Sequence, residues 1–375
     1  MKKICIIVST PMTVKAFLIK HIKELSKSYE ITVVSNSDLQ LKDEFNINCF
    51  SKSIEIDRKI NLLNDIKSVF YLYKFLKKEK FDLVLSVSPK AGLITSIASF
   101  LATVKNRLHF FTGQVWATKK GLFKILLKSM DKLIGRINTN ILVDSHSQRD
   151  FLLNEGVISL NKSKVLLSGS ISGVDIDKFI FNENIKNRLK DKYQIKDNEI
   201  VFMFIGRLNI DKGILDLSKA FEFIISKYSN IKLFLIGPDE ENILEEIDNL
   251  ISNKNVIRLD YVNNPEEILN IADVLVLPSY REGFGTIVIE AASMGIPTIA
   301  SDIYGLSDAV VDKITGFLHN KKDINDMIKK YELAINNIEQ MKEFGVNAKK
   351  RVYKEFKDEY LAMELKNYID ELLES

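Results

Sequence analysis

PSYREGFGTIVIEAASMG, residues 278–295, places Glu282 and Glu290 eight positions apart across a Gly-rich loop and the start of a helix. The run before it, DVLVLP at 273–278, is short and rich in Val and Leu, the pattern of a strand buried on both faces. Residues 286–294 are helix formers closed by Gly295, with Pro297 beyond, as helix stop signals require. The loop SYREGFG therefore joins a strand end to a helix N-terminus, where unsatisfied N–H groups and the helix dipole favour an anion. Gly283 and Gly285 let a ligand approach that backbone closely. An acid is out of place beside a phosphate, so Glu282 and Glu290 are expected to accept hydrogen bonds from neutral sugar hydroxyls. Glu290 falls one turn inside the helix, roughly 6 Å along its axis from Thr286. Either acid alone is an ordinary surface Glu. Together, in this setting, they read as a sugar-nucleotide site.

A second segment repeats the design with the opposite charge. EIVFMFIG at 199–206 is another buried-strand run, followed by the loop GRLNIDKG and an amphipathic stretch over 214–228. Arg207 follows Gly206 directly, and Lys212 stands just before Gly213 at the helix start. Cations at a helix N-terminus oppose its dipole, so they call for an anion. A diphosphate supplies one, with Arg207 as a planar fork and Lys212 as a point charge. In an open parallel sheet both loops lie on one carboxyl edge, where ligands of doubly wound folds bind.

Together these residues resemble the retaining family 4 glycosyltransferases of the bacterial surface-polysaccharide type. The motifs that carry the likeness are Gly206-Arg207 with Lys212-Gly213, then Glu282, Gly283, Phe284, Gly285 and Glu290. The likeness is strongest over 198–320, including IASDIYGLSDAV and TGFLHN, and continues more weakly through the first half. It implies an α/β fold of two Rossmann-like domains facing across a cleft, the B-type glycosyltransferase fold. It also implies that Arg207 and Lys212 hold a donor diphosphate, Glu282 approaches the transferred sugar and Glu290 binds the ribose. Gly283, Phe284, Gly285 and Thr286 are expected to meet sugar and phosphate through backbone or close contacts.

In the first half, RLHFFTGQVWATKKG at 107–121 is similar to the acceptor-side loop of surface-polysaccharide transferases, which puts Gly113 and Trp116, the only Trp, on the acceptor side. His109 is the nearest match to a His that family members place close to the donor sugar, and stands as a second catalytic candidate. Thr10 and Pro11 follow the first strand where relatives commonly carry a Gly-rich loop. The missing Gly-x-Gly-x-x-Gly also argues against a dinucleotide-binding domain.

A chain of 375 residues, 46% apolar and 27% charged, suits two domains with ordinary cores. The expected division is an N-terminal acceptor-binding domain over 1–170, a hinge at 171–181, a nucleotide-sugar domain over 182–355 and a C-terminal helix over 356–375 crossing back. Cys5 and Cys49 make neither a disulfide framework nor a metal spacing, which suits a reducing cytoplasm. The five-residue apolar run in MKKICIIVSTP fits a first strand rather than a signal peptide. Residues 91–104 are too short for a membrane span.

The net charge of +3 hides an asymmetry. Residues 1–178 carry 28 Lys plus Arg against 16 Asp plus Glu, or +12, and residues 179–375 carry 25 against 34, or −9. The basic half places lysines among aromatics in VFYLYKFLKKEKF at 69–81. In KKGLFKILLKSMDK at 119–132, Lys120, Lys124 and Lys128 recur four apart beside an apolar face, as in an interfacial helix. With no nucleic-acid motif present, the expected anionic partner is a membrane or a lipid-diphosphate acceptor. Strands alternating with helices through the chain imply parallel sheets. Asp175 and Asp177 sit in the Ser- and Gly-rich crossover at 168–179 and are expected to be structural. Neither metal nor cofactor is expected, because Arg, Lys and helix dipoles neutralise the diphosphate.

The expected activity is retaining, metal-independent transfer of a sugar from a UDP- or GDP-sugar to a hydroxyl of a lipid-linked bacterial surface glycan such as O-antigen, capsule or exopolysaccharide. The expected site of action is the cytoplasm, with peripheral contact at the inner face of the plasma membrane as an option. A sugar-nucleotide epimerase of similar shape, or a non-catalytic nucleotide-sugar binder, are the alternatives.

Overall fold

The computed structural model describes residues 1–37, 39–56, 61–251 and 254–374. The chain forms two α/β units, one of Met1–Gly173 with Asp358–Ser375 and one of Val174–Lys357.

Among the described residues the first unit holds seven strands: β1 (Lys3–Ile7), β2 (Glu30–Ser35), β3 (Phe50–Ser53), β4 (Leu83–Val87), β5 (Asn106–Phe111), β6 (Asn140–Val143) and β7 (Ser163–Lys164). They pair in parallel in the order β3-β2-β1-β4-β5-β6-β7. The order reverses between β1 and β4, so right-handed crossovers cover both faces with helices. Period-2 alternation divides β1 accordingly. Ile4 and Ile6 join one core, closed by Leu361, Leu365 and Ile369 of the last helix, Asp358–Glu374. Cys5 and Ile7 join the other, under helices Leu62–Glu79 and Pro89–Leu101. β3, FSKS, is fully exposed at the sheet edge, so it lacks the apolar signature of its neighbours. Between β1 and β2 the chain forms two short helices, Pro11–Phe17 and Ile19–Leu25.

The second unit holds β8 (Ile200–Ile205), β9 (Ile231–Ile236), β10 (Val256–Leu259), β11 (Val274–Leu277), β12 (Thr298–Ser301) and β13 (Gly316–His319), all parallel, in the order β10-β9-β8-β11-β12-β13. Its core is one continuous cluster, with Phe202, Phe221 and Tyr331 ring centroids 5.0–5.8 Å apart. Phe179 is buried in this core and its carbonyl accepts from Ser293 Oγ at 2.9 Å. Val174 and Phe179, in the stretch the sequence assigns to a hinge, are thus part of the second unit's core. Because every strand runs the same way, the loops after β8, β9, β11, β12 and β13 all leave from one carboxyl edge.

Candidate functional site

That edge is organised by two interlocked loops. After β8, Asn209 caps the turn at Ile210–Lys212 by accepting from Lys212 N at 3.0 Å. Gly213 follows at φ +70°, and a Cβ there would lie 2.1 Å from the Pro278 carbonyl, so the loop after β8 touches the loop after β11 through bare backbone. Gly305, after β12, makes a similar approach: at φ +84° its Cβ would stand 2.5 Å from the Gly283 carbonyl. Side chains fasten the two loops. Arg281 Nε donates to Asp211 Oδ2 at 2.8 Å, and the Tyr280 hydroxyl donates to Asp216 at 2.6 Å. These partners were not singled out from the sequence, although Asp211 and Arg281 are opposite charges in the two loops that had been paired by design.

Within this frame the structure brings Lys212 and Glu282 together. Lys212 Nζ forms an ion pair with Glu282 Oε1, and Ser279 Oγ donates to the same oxygen at 2.8 Å. Both side chains are mostly buried, so the pair interacts strongly and holds a fixed geometry. Arg207 is more exposed and binds Glu240 Oε2 at 2.6 Å. Such a half-exposed pair is worth little and exchanges partners readily. Gly283 and Phe284 are buried. The Phe284 ring packs 5.3 Å from that of Phe356. Thr286 opens the helix Thr286–Ser293.

Glu290 lies on that helix, half-buried, and its carboxylate accepts no hydrogen bond among the described residues. Burial raises its pKa from 4.5 to about 7; Lys178 opposes the rise and Glu266 adds to it. Lys178 itself pairs with Glu266 at 3.4 Å. The edge therefore presents two cations, a helix N-terminus, one carboxylate held by Lys and Ser, and one carboxyl poised to titrate near neutrality. This set can neutralise a diphosphate and accept hydrogen bonds from sugar hydroxyls at either end of it.

The first-unit candidates stand elsewhere. His109 on β5 is fully buried, with Nδ1 2.8 Å from Ser86 Oγ, its ring 4.5 Å from Phe111 and Gly92 tight against it. Burial lowers its pKa to about 3. It packs the helix Pro89–Leu101 onto the sheet and is closed off from the surface of its unit. Trp116 is also buried: Nε1 donates to Asp131 Oδ2 at 2.7 Å and the ring stacks on Phe151 at 5.3 Å. Burial raises the Asp131 carboxyl to about 6, with the indole hydrogen bond opposing. Trp116 thus anchors its loop to the helix Gly121–Ile137. Gly113, in the same loop, is half-buried. On that helix Leu122 is 84% exposed and Ile125 and Leu126 are also outside, while Lys128 pairs with Glu155. No helix among the described residues is long and apolar enough to cross a membrane. Asp175 Oδ1 accepts from the N–H groups of Asp177 and Lys178 at 3.1 and 3.0 Å, so this acid closes a turn.

Two parallel-sheet α/β units of this kind make a B-type glycosyltransferase fold. The Anabaena protein Alr3699/HepE, solved in complex with UDP and glucose, shares it with a TM-score of 0.82 at 17% identity, over 99% of this chain and 100% of that one. The model for glycosyl transferase 4-like proteins matches residues 3–145, and that for glycosyl transferases group 1 matches residues 185–351. The capsular polysaccharide biosynthesis glycosyltransferase CapM of Staphylococcus aureus is 33% identical, over 92% of this chain and 91% of that protein. The UDP-Gal:alpha-D-GlcNAc-diphosphoundecaprenol alpha-1,3-galactosyltransferase of Escherichia coli is 32% identical over 82% of each. The chain belongs to this glycosyltransferase family.

Proposed function

We propose that the protein moves a sugar from a nucleoside-diphosphate sugar, UDP- or GDP-linked, to a hydroxyl of a lipid-linked bacterial surface glycan, with retention of anomeric configuration and without a metal ion, at an anionic membrane face. The observation that carries this reading is the convergence of Arg207, Lys212, Glu282 and Glu290 with one helix N-terminus on a single sheet edge. The names of the capsular and diphosphoundecaprenol-linked relatives support the acceptor class, and the basic first half supports the membrane contact.

In this reading Arg207 releases Glu240 and forks onto the diphosphate, while Lys212 bridges the phosphate and Glu282. The Lys212 charge lets a carboxylate and a phosphate occupy one site without repulsion. Glu282 then accepts from a hydroxyl of the transferred sugar and fixes its orientation, and Glu290 accepts from the ribose. The bond between the anomeric carbon and the phosphate oxygen breaks as the acceptor oxygen bonds to that carbon. The acceptor's proton passes to the leaving diphosphate, so the site's task is fixed positive charge at the leaving group rather than a strong base. Arg207, Lys212 and the N–H groups opening the helix Thr286–Ser293 supply the charge that a divalent ion supplies in other transferases.

Incubation with a panel of nucleotide sugars and diphosphoundecaprenol-linked saccharides tests this. Glycosylated acceptor with the α or β linkage of the donor is the expected product. An altered donor formed without acceptor would identify an epimerase instead, and binding without turnover would identify a non-catalytic binder.

A further inference from the structure

A groove of about 470 Å³ lies in the first unit between β3 and the helix Leu62–Glu79. Lys52 stands on the strand side, and Lys67, Lys74 and Lys78 enter from the helix at spacings that keep them on one face, with Tyr71 between them. None of the four lysines forms an ion pair among the described residues, whereas Lys178 and Lys212 of the second unit do. The one carboxylate residue in the lining is Glu55. Four like charges with no carboxylate partner among the described residues, Lys74 resting 4.2 Å over the Phe70 ring, repel each other around one concavity, and an anion placed among them relieves that repulsion. Beside the groove, the adjoining face of the same helix turns Leu63, Ile66 and Phe70 outward, with Leu63 74% exposed and Phe70 50% exposed. Apolar side chains of this size in a row, bordered by unpaired lysines, match the interface between headgroups and acyl chains.

We infer that the groove takes the phosphate headgroup of an anionic lipid while Leu63, Ile66 and Phe70 enter the outer layer of the bilayer. The inference rests on the membrane contact in the proposed function and names the surface that makes it. Charge complementarity selects the occupant: a neutral protein partner would leave the four ammonium groups uncompensated, and a soluble anion would leave the apolar row in water.

The test uses the full chain and two kinds of measurement. Vesicles of phosphatidylglycerol should bind the protein and those of phosphatidylcholine should not, with binding falling as salt rises. The Lys67→Gln/Lys78→Gln variant should lose about 30-fold in partitioning onto phosphatidylglycerol, from about fivefold per lysine, while its melting shift with UDP stays that of wild type. Lysine acylation of the unmutated chain, read by mass spectrometry, should show that phosphatidylglycerol vesicles protect Lys52, Lys67, Lys74 and Lys78 and leave Lys23 reactive. Equal vesicle binding by the variant would overturn the inference. So would protection confined to Lys120 and Lys124, which would move the contact to another helix, or equal protection by inorganic pyrophosphate alone, which would make the groove a soluble-anion site. None of these readouts uses sugar transfer, so failure here and failure of the proposed activity are separate results.

Discussion

Replacing Glu290 by Gln should make the free protein more stable at pH 8 and worse at binding its donor. The carboxyl's pKa rises from 4.5 to about 7 on folding, chiefly through burial. A carboxyl raised in this way keeps its proton in the folded state across pH 4.5–7 while the unfolded chain has lost it. Folding stability therefore falls as pH rises through that window, and the full cost is present above pH 7. At 1.36 kcal/mol per pH unit the rise corresponds to roughly 3 kcal/mol. Partial solvent access of the side chain reduces this to about 1–2 kcal/mol. Gln carries no charge at any pH, so Glu290→Gln should gain that amount at pH 8 and nothing near pH 4.5. For a unit of this size the gain is a melting increase of about 2–8 °C. Donor affinity should move the other way, because a carboxylate accepts from two ribose hydroxyls with charge-assisted bonds that an amide cannot match. The loss is about 2 kcal/mol, or about 30-fold in Kd for UDP at pH 8. Wild-type affinity should also strengthen from pH 6 to pH 8, and the variant's should not. Scanning calorimetry at pH 4.5 and 8, with UDP titrations at pH 6 and 8, measures all of this. A variant that melts lower at pH 8 and binds UDP as wild type does would refute both the buried carboxyl and its ribose role.

Three further outcomes follow from the same geometry. Arg207→Ala should leave the apo melting temperature nearly unchanged, because its pair with Glu240 is half-exposed, but weaken UDP binding about 10- to 100-fold; an intact UDP-induced melting shift would remove Arg207 from the site. Gly213→Ala should destabilise the second unit by about 2–4 kcal/mol, since the residue sits at φ +70° with the Pro278 carbonyl 2.1 Å from the added carbon, and a denaturant midpoint equal to wild type would show that the loops are not interlocked. His109→Leu should cost about 1–3 kcal/mol by orphaning Ser86 Oγ while the folded enzyme keeps kcat within a few-fold; a loss beyond 100-fold at full folding would restore a catalytic role.

The second unit's edge was largely legible in the sequence because its parts are local. A buried apolar run, a glycine and a charge at the strand's end announce themselves within ten residues, and the Glu282 and Glu290 loop needs nothing distant to be recognised. The fastening of that edge was not legible, since Asp211–Arg281 and Tyr280–Asp216 join residues more than 60 positions apart. The burial of His109 and Trp116 was not legible for a related reason. β5 is buried on both faces, so no alternation in LHFF tells which side a residue takes, and the partner that buries the Trp116 indole, Asp131, lies on the following helix. β3 escaped notice because an exposed edge strand has no apolar period to display. The Lys212–Glu282 pair lay between these cases: both residues were marked, but for separate ends of a ligand, and only the fold shows them in contact.

The central claim, that the carboxyl edge of the second unit's sheet holds the donor, is tested most directly by a crystal structure of the protein with UDP. The account predicts the diphosphate within hydrogen-bond distance of Arg207 and Lys212, the N–H groups at the start of the helix Thr286–Ser293 facing it, and the ribose hydroxyls on Glu290. UDP bound at the first unit's sheet, with the Lys212–Glu282 and Arg207–Glu240 pairs undisturbed, would contradict it.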